Sequence, residues 1–111
     1  MKSFDDLKKF IVKWVHSRIP GLLPTLNVYS RMKTGRDFID LLLEQPSKAY
    51  SVLLDRYKDP ASAEFALVTL FLKPIAVYFE RLGLEYQLLE LAKSGRDKEF
   101  IETIKSLLSS K

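Results

Sequence analysis

The segment from Asp59 to Gly83 constrains the fold most, because its interior, Phe65–Leu72, is apolar on every side when drawn as a helix. The Asp-Pro pair at its beginning is a typical helix start, and its closing glycine is suited to end a helix. A helix that is apolar all round has to be buried on every side. We therefore expect the central helix of a bundle or the seam of an oligomer, kinked by Pro74 at or just before Lys73.

Apolar residues at helical spacing, bounded by capping residues, prolines or glycines, predict five further helices. They cover about Ser3 to Arg18, Asp37 to Gln45, Pro46 to Lys58, Leu84 to Lys93 and Asp97 to Ser109. Residues 19–34 are apolar but contain Pro20-Gly21 and Pro24, so we expect an irregular segment that lies over the bundle or faces a partner. No alternation of apolar and polar residues indicates a strand. The sequence therefore predicts an all-α fold, a compact bundle of about six helices around the long, proline-kinked, apolar central helix.

The length of 111 residues fits a single helical domain over residues 1–111. The absence of cysteine excludes disulfides and thiolate chemistry and agrees with a cytoplasmic protein. Charges near the first residue leave no apolar run of signal-peptide length. Residues 61–79 are mostly apolar, but Glu64, Lys73 and Pro74 interrupt them, so no membrane span is predicted.

Few residues could carry catalysis. His16 is the single histidine and lies opposite the apolar stripe of the first helix, which predicts a solvated side chain rather than a base. Glu64 is the one acidic residue in the apolar helix, and the positive end of the helix dipole accounts for it. No Glu-x-x-His spacing suggests a metal site in the bundle. We therefore predict no catalytic residue, no metal and no cofactor, and we do not expect an enzyme.

One short motif occurs twice, as Lys33-Thr34-Gly35-Arg36-Asp37 and as Lys93-Ser94-Gly95-Arg96-Asp97. Backbone amides at a helix start together with an arginine can bind phosphate or carboxylate, so a paired anion site is one interpretation. The other is helix punctuation, in which the glycine ends one helix and Ser, Thr or Asp begins the next. Capping preferences alone produce these residues, and we favour punctuation.

Positive charge is concentrated at the N-terminus, where residues 1–35 carry seven Lys and Arg against two acidic residues. Such a face could bind phosphate groups of nucleic acid, although a solvated charged face explains it equally well. No helix-turn-helix is convincing, because the helix after residues 46–58 is too apolar to read bases. The candidate anion or nucleic-acid contacts are Lys9, Lys13, Arg31, Lys33 and Arg36.

From about Pro46 to Leu108, apolar spacing and helix ends follow a recognisable pattern. Its positions are Pro46-Ser47-Lys48-Ala49-Tyr50, Leu53-Leu54, Tyr57, Ala63-Glu64-Phe65, Lys73-Pro74, Ser94-Gly95 and Phe100. This pattern resembles small archaeal helical proteins that are grouped as domains of unknown function. The resemblance implies an archaeal all-α domain and brings no activity with it. Independently, the scarcity of Asn, Gln, His and Cys beside twelve Lys suggests a thermophilic source.

The leading functional hypothesis is a non-enzymatic helical interaction module that forms a homodimer or binds another protein. Excess apolar surface on the long helix or on residues 19–32 motivates it. The alternative is a nucleic-acid-associated protein that uses the basic N-terminal face. A small-ligand pocket under residues 19–34 is a third hypothesis. The candidate partner-interface residues are Leu22, Leu23, Leu26, Phe71 and Phe79.

Overall fold

The computed structural model describes residues 3–109, which form seven helices and no strand. In chain order these are α1 (Phe4–Arg18), α2 (Leu22–Thr34), α3 (Phe38–Glu44), α4 (Pro46–Tyr57), α5 (Pro60–Tyr78), α6 (Leu84–Lys93) and α7 (Asp97–Ser109). The radius of gyration is 12.9 Å, and a compact domain of this length has about 13 Å. The prediction of a compact all-α bundle is confirmed, with one helix more than the estimate of six.

The additional helix is α2, in the segment for which an irregular conformation was predicted. That prediction is wrong because Pro24 is the third residue of α2, where a backbone N–H would have no partner within the helix. Gly21 precedes the helix with a φ of 88°. Leu23, Leu26 and Ser30 are buried against the core. Because α2 packs directly on the bundle, residues 22–34 form a regular helix of the fold.

The central helix is α5, which contacts α1, α4 and α6. It is the one helix within residues 3–109 that is long and apolar enough to cross a membrane, with a mean hydropathy of 1.4 over 18 residues. The fold buries 44 % of that window. Core helices of soluble proteins combine the same length and hydropathy, and the position of α5 among three neighbouring helices is that of a core helix.

Pro74 distorts α5 in a specific way. The segment Leu67–Leu72 is π-helical, and the N–H of Lys73 bonds to the carbonyl five residues before it. In this register the next carbonyl, that of Thr69, would need the N–H that Pro74 lacks. Trp14 of α1 supplies the missing donor, since its Nε1 lies 3.3 Å from the Thr69 carbonyl oxygen. The expected proline distortion therefore takes the form of a π segment that ends just before Lys73.

α5 ends at Tyr78, five residues before Gly83, so the prediction that Gly83 ends this helix is wrong. Glu80 adopts a left-handed φ of 54°. The N–H of Arg81 then bonds to the carbonyl of Ala76 at 2.9 Å, which closes the helix as a Schellman motif. Gly83 has a φ of 90° and lies at the beginning of α6 instead.

Side chains also hydrogen-bond to backbone groups at the starts of other helices. Asp97 accepts from the N–H and from Oγ of Ser47, both at 2.9 Å, and so caps the first turn of α4 from α7. Asn27 of α2 accepts from the N–H of Phe38 at 2.9 Å. Within residues 3–109, no buried side-chain nitrogen or oxygen lacks a hydrogen-bond partner. These contacts join α4 to α7 and α2 to the start of α3.

Candidate functional site

Within a single chain α5 is not buried on every side, because the fold leaves Phe65 uncovered. Its side chain is 71 % exposed in the first half of the helix. Beside it lies an open groove whose walls come from α5, from Tyr57 at the end of α4 and from Ile19 just after α1. The groove is lined by Ile19, Tyr57, Ala61, Ser62, Phe65, Ala66, Thr69 and Leu70. None of these residues is charged, and we call this set the Phe65 surface.

The exposure of Phe65 follows from where α1 ends. Phe10 of α1 lies 5.3 Å from Tyr78 between ring centroids, and Trp14 reaches the Thr69 carbonyl, so α1 runs along α5 towards the start of α5. α1 ends one turn later, and the chain turns away at Pro20-Gly21. Phe65 lies one turn before Thr69, and the groove wall on the α1 side is reduced there to Ile19. The first half of α5 is therefore left partly uncovered.

The predicted partner-interface residues occupy other positions. Leu23 is 6 % exposed, Leu26 is 3 % exposed and Phe71 is fully buried, so these three belong to the core and their assignment to a partner interface is wrong. Leu22 and Phe79 are half-buried and pack against the core. The long helix and residues 19–32 do expose apolar side chains, but the exposed residues are Phe65, Val77, Ile19, Val28 and Met32. The sequence indicated the two segments that expose apolar residues, but it did not indicate which residues of each segment face outward.

Three of the five predicted anion contacts face acidic side chains of the same chain. Arg31 pairs with Asp37, Lys33 with Asp55 at 2.9 Å, and Arg36 with Glu44 at 2.6 Å. The hydrogen bond from Arg31 holds the pKa of Asp37 below its ordinary value. A phosphate would have to compete with these carboxylates, which lowers its affinity.

The other two, Lys9 and Lys13, are exposed on α1 and have no ion pair within residues 3–109. They line a shallow groove that also contains Asp5 and Asp6, together with the ring of Tyr78. Lys8 also lines the groove but pairs with Asp40 at 2.5 Å. Asp5 and Asp6 offset Lys9 and Lys13, so this groove carries little net positive charge. The predicted basic face therefore consists of two parts. Arg31, Lys33 and Arg36 form ion pairs, and Lys9 and Lys13 lie in a groove of mixed charge on α1.

The repeated motif serves as helix punctuation. Gly35 and Gly95 have φ values of 80° and 75°, and only glycine adopts this region without strain. In the first copy, Arg36 donates its N–H to Thr34, so this amide is not available to an anion. In the second copy, the aspartate at the end of the motif caps α4, as described above. We therefore find no support for a paired anion site.

The remaining polar residues of interest lie on the surface or form ion pairs between helices. His16 is exposed, in agreement with the prediction of a solvated side chain. Glu64 accepts from Lys93 at 3.3 Å, which ties α5 to α6. Glu85 was missed: it is 3 % exposed and accepts from Lys73 at 3.2 Å. Within residues 3–109, no group of three His, Cys, Asp or Glu residues could hold a metal ion.

Comparison of the chain with protein-family models, with curated proteins and with solved structures finds no match. The resemblance to archaeal helical proteins therefore stays a prediction. The Phe65 surface combines a protruding aromatic side chain with a groove that no charged residue lines.

The carboxylate of Asp55 predicts a pH dependence of stability. Hydrogen bonds from Tyr29 and Lys33 hold the pKa of Asp55 below its ordinary value in the folded protein. Such a group contributes stability that is present above its unfolded pKa, about 3.9, and is lost as the pH falls through the folded pKa. Chemical denaturation should show that Asp55→Asn loses less stability than the parent between about pH 5 and about pH 2. Equal losses in both proteins would contradict this role.

Proposed function

We propose that this protein is a non-enzymatic helical interaction module that forms a symmetric homodimer through the Phe65 surface. The observation that carries the proposal is the position of a protruding phenylalanine directly beside an apolar groove. In a two-fold dimer each copy presents the same patch, so the patch has to be complementary to itself. The Phe65 surface meets this condition, because Phe65 of each copy can enter the groove of the other.

The composition of the surface supports a second copy as the occupant. Interfaces of homodimers are more apolar than those of transient complexes. The groove brings together Ile19, Tyr57 and Leu70 without a charged side chain. Docking here therefore removes no charge from water, and the large desolvation cost that accompanies a buried ion is avoided.

Magnitudes indicate a dimer of modest affinity. Phe65 is 71 % and Ile19 is 44 % exposed, so burying the rest of these side chains stabilises a complex by about 2 kcal/mol for each Phe65 and about 1 kcal/mol for each Ile19. Two copies give roughly 6 kcal/mol before flanking contacts are added, and the loss of translational and rotational freedom opposes this gain. A gain of about 6 kcal/mol corresponds to a dissociation constant of about 40 µM. We expect flanking contacts to offset the loss of freedom, which gives a dissociation constant of about 10 to 100 µM.

Nucleic-acid binding through the basic N-terminal face has weaker support. Arg31, Lys33 and Arg36 are paired with carboxylates, and Lys9 and Lys13 share a groove with two aspartates. The interaction-module proposal includes a cytoplasmic location and a thermophilic source on compositional grounds, and an archaeal source only as the resemblance to archaeal helical proteins implies. Absence of cysteine and abundance of lysine support the first two.

Replacing Phe65 with serine tests the proposal. We expect the parent protein to change from monomer to dimer between about 5 and about 500 µM, with little dependence on salt, because the interface is apolar. Phe65→Ser should weaken dimerisation at least about 10-fold. Light scattering coupled to size-exclusion chromatography measures both masses, and the absorbance ratio at 260 and 280 nm reports bound nucleic acid.

Val77→Ser is the matched control, because Val77 is 42 % exposed on the same helix but lies outside the groove. It should dimerise as the parent does. Both variants should keep the circular dichroism spectrum of the parent. The proposal would be overturned by a parent that stays monomeric over this range, or by equal dimerisation of the parent and Phe65→Ser. A monomer that carries nucleic acid at low salt and releases it at high salt would favour the alternative instead.

A further inference from the structure

A second apolar side chain protrudes from a different part of the molecule. Leu82 lies in the turn between α5 and α6 and is 98 % exposed. This turn is held by the Schellman hydrogen bonds and by the carboxylate of Glu85, which accepts from the N–H of Gly83 at 3.1 Å. The turn is therefore ordered before any partner arrives, and little conformational entropy is lost when a partner binds to it.

Leu82 borders a groove between α6 and α7. Its lining is mixed: Leu84, which is 7 % exposed, and Leu107 are apolar, whereas Gln87, Thr103 and Ser106 supply polar groups. Its rims carry opposite charges: Arg81 lies on the side of the turn, and Glu99 and Glu102 lie on α7. Neither Arg81 nor Glu102 has an ion pair within residues 3–109, and Glu99 has only a long contact of 3.7 Å with Arg96. An apolar protrusion, a groove of mixed polarity and charges of opposite sign thus lie on one surface.

These features are complementary under a two-fold rotation. A two-fold axis through the groove places the turn of each copy opposite α7 of the other. Leu82 then approaches the mixed groove beside Leu107, and Arg81 faces Glu99 and Glu102 of the other copy. Charged rims of this kind set the orientation of an interface and exclude wrong partners. A partner of another sequence would have to supply both the leucine and the arginine, whereas a second copy already carries them.

We infer that the turn and α7 form a second self-association surface, whose occupant is another copy of this chain. It shares no residue with the Phe65 surface, so each contact forms or fails independently of the other. A chain with two such surfaces associates beyond a dimer. We expect this contact to be the weaker of the two. The parent protein should therefore reach masses above that of a dimer only at concentrations above those at which the Phe65 surface forms the dimer, and Phe65→Ser should form dimers through the turn in that higher range.

The test uses charge-reversal substitutions in the Phe65→Ser variant. The Phe65 surface is disabled in this variant, so the measured dimerisation reports on the second surface. Arg81→Glu places two carboxylates against each other across the interface, and Glu102→Arg places two cations against each other. Each change should weaken dimerisation about 10-fold or more. An equimolar mixture of the two variants should associate again, because every contact between residues 81 and 102 then joins opposite charges. Sedimentation velocity measures the dimer fraction of each sample.

Glu90→Arg is the control for altered net charge, because Glu90 is exposed on α6 and lies outside the groove. It should leave dimerisation unchanged and should not associate preferentially with Arg81→Glu. All substituted residues are exposed, so thermal unfolding should be unaffected. The inference is supported if dimerisation is weak in each single variant and recovers in their equimolar mixture. Monomeric Phe65→Ser, unchanged dimerisation of the single variants, or a mixture that stays as weak as its components would each overturn it, whatever the result at Phe65 itself.

Discussion

Replacing Phe71 with alanine is expected to lower the free energy of unfolding by about 3 to 5 kcal/mol. Phe71 is fully buried in α5, and its ring lies 4.6 Å from that of Phe38 between centroids, at an angle of 54°. The substitution removes this contact and leaves a cavity that the neighbouring helices fill only in part. Small domains have stabilities of about 5 to 15 kcal/mol, so the variant loses a large share of its stability.

The matched control is Phe65→Ala, six residues earlier in the same helix. Because Phe65 is 71 % exposed, its truncation should change the stability of the monomer by less than about 1 kcal/mol. Urea denaturation at low protein concentration, where dimers do not contribute, measures both variants. Similar losses at the two positions would show that Phe65 is packed in solution and would remove the basis of the Phe65 surface.

This pair of phenylalanines shows what the sequence could and could not indicate. The apolar run of α5 correctly predicted a central helix, because residues without polar groups on any side need cover. It did not predict which side stays uncovered, since every side of the run is apolar. The exposed side is decided by where α1 ends, and the change of register in the π segment alters the faces of the residues that follow.

Helix boundaries depended on local signals and were therefore more predictable. The N-cap Ser3 accepts from the N–H of Asp6 at 3.2 Å, as the capping pattern predicted. Pro46 and Pro60 begin α4 and α5 in the expected positions. The prediction for α2 was wrong because two prolines and a glycine were interpreted as helix breakers. Pro24 in fact lies in the first turn of α2, which is the one turn of a helix that tolerates proline.

The charged residues needed tertiary contacts to be interpreted. Arg31, Lys33 and Arg36 form a positive cluster along the sequence, but the acidic residues that neutralise them come from α3, α4 and the turn before α3. Glu85 gave no signal at all, because its partner Lys73 is twelve residues away. Arg81 and Glu102 lie further apart still, and only the packing of α6 against α7 brings them to one groove.

The π segment gives the second large prediction. Trp14→Phe should lower the free energy of unfolding by about 1 to 3 kcal/mol, because it removes the donor to the Thr69 carbonyl and leaves a partly buried acceptor without a partner. Phenylalanine retains most of the apolar contact of the indole. Thermal or urea unfolding of the parent and the variant measures the difference.

Pro74→Ala makes this prediction specific. Alanine restores the backbone N–H at position 74, which can donate to the Thr69 carbonyl in the existing π register or allow α5 to return to regular α-helical bonding. Either change lowers the contribution of the Trp14 hydrogen bond to the free energy of unfolding. In the Pro74→Ala background the cost of Trp14→Phe should therefore fall by about 1 kcal/mol, which a double-mutant cycle measures directly. Equal costs in the two backgrounds would show that Trp14 stabilises the bundle by packing alone and that the proline does not create the need for its hydrogen bond.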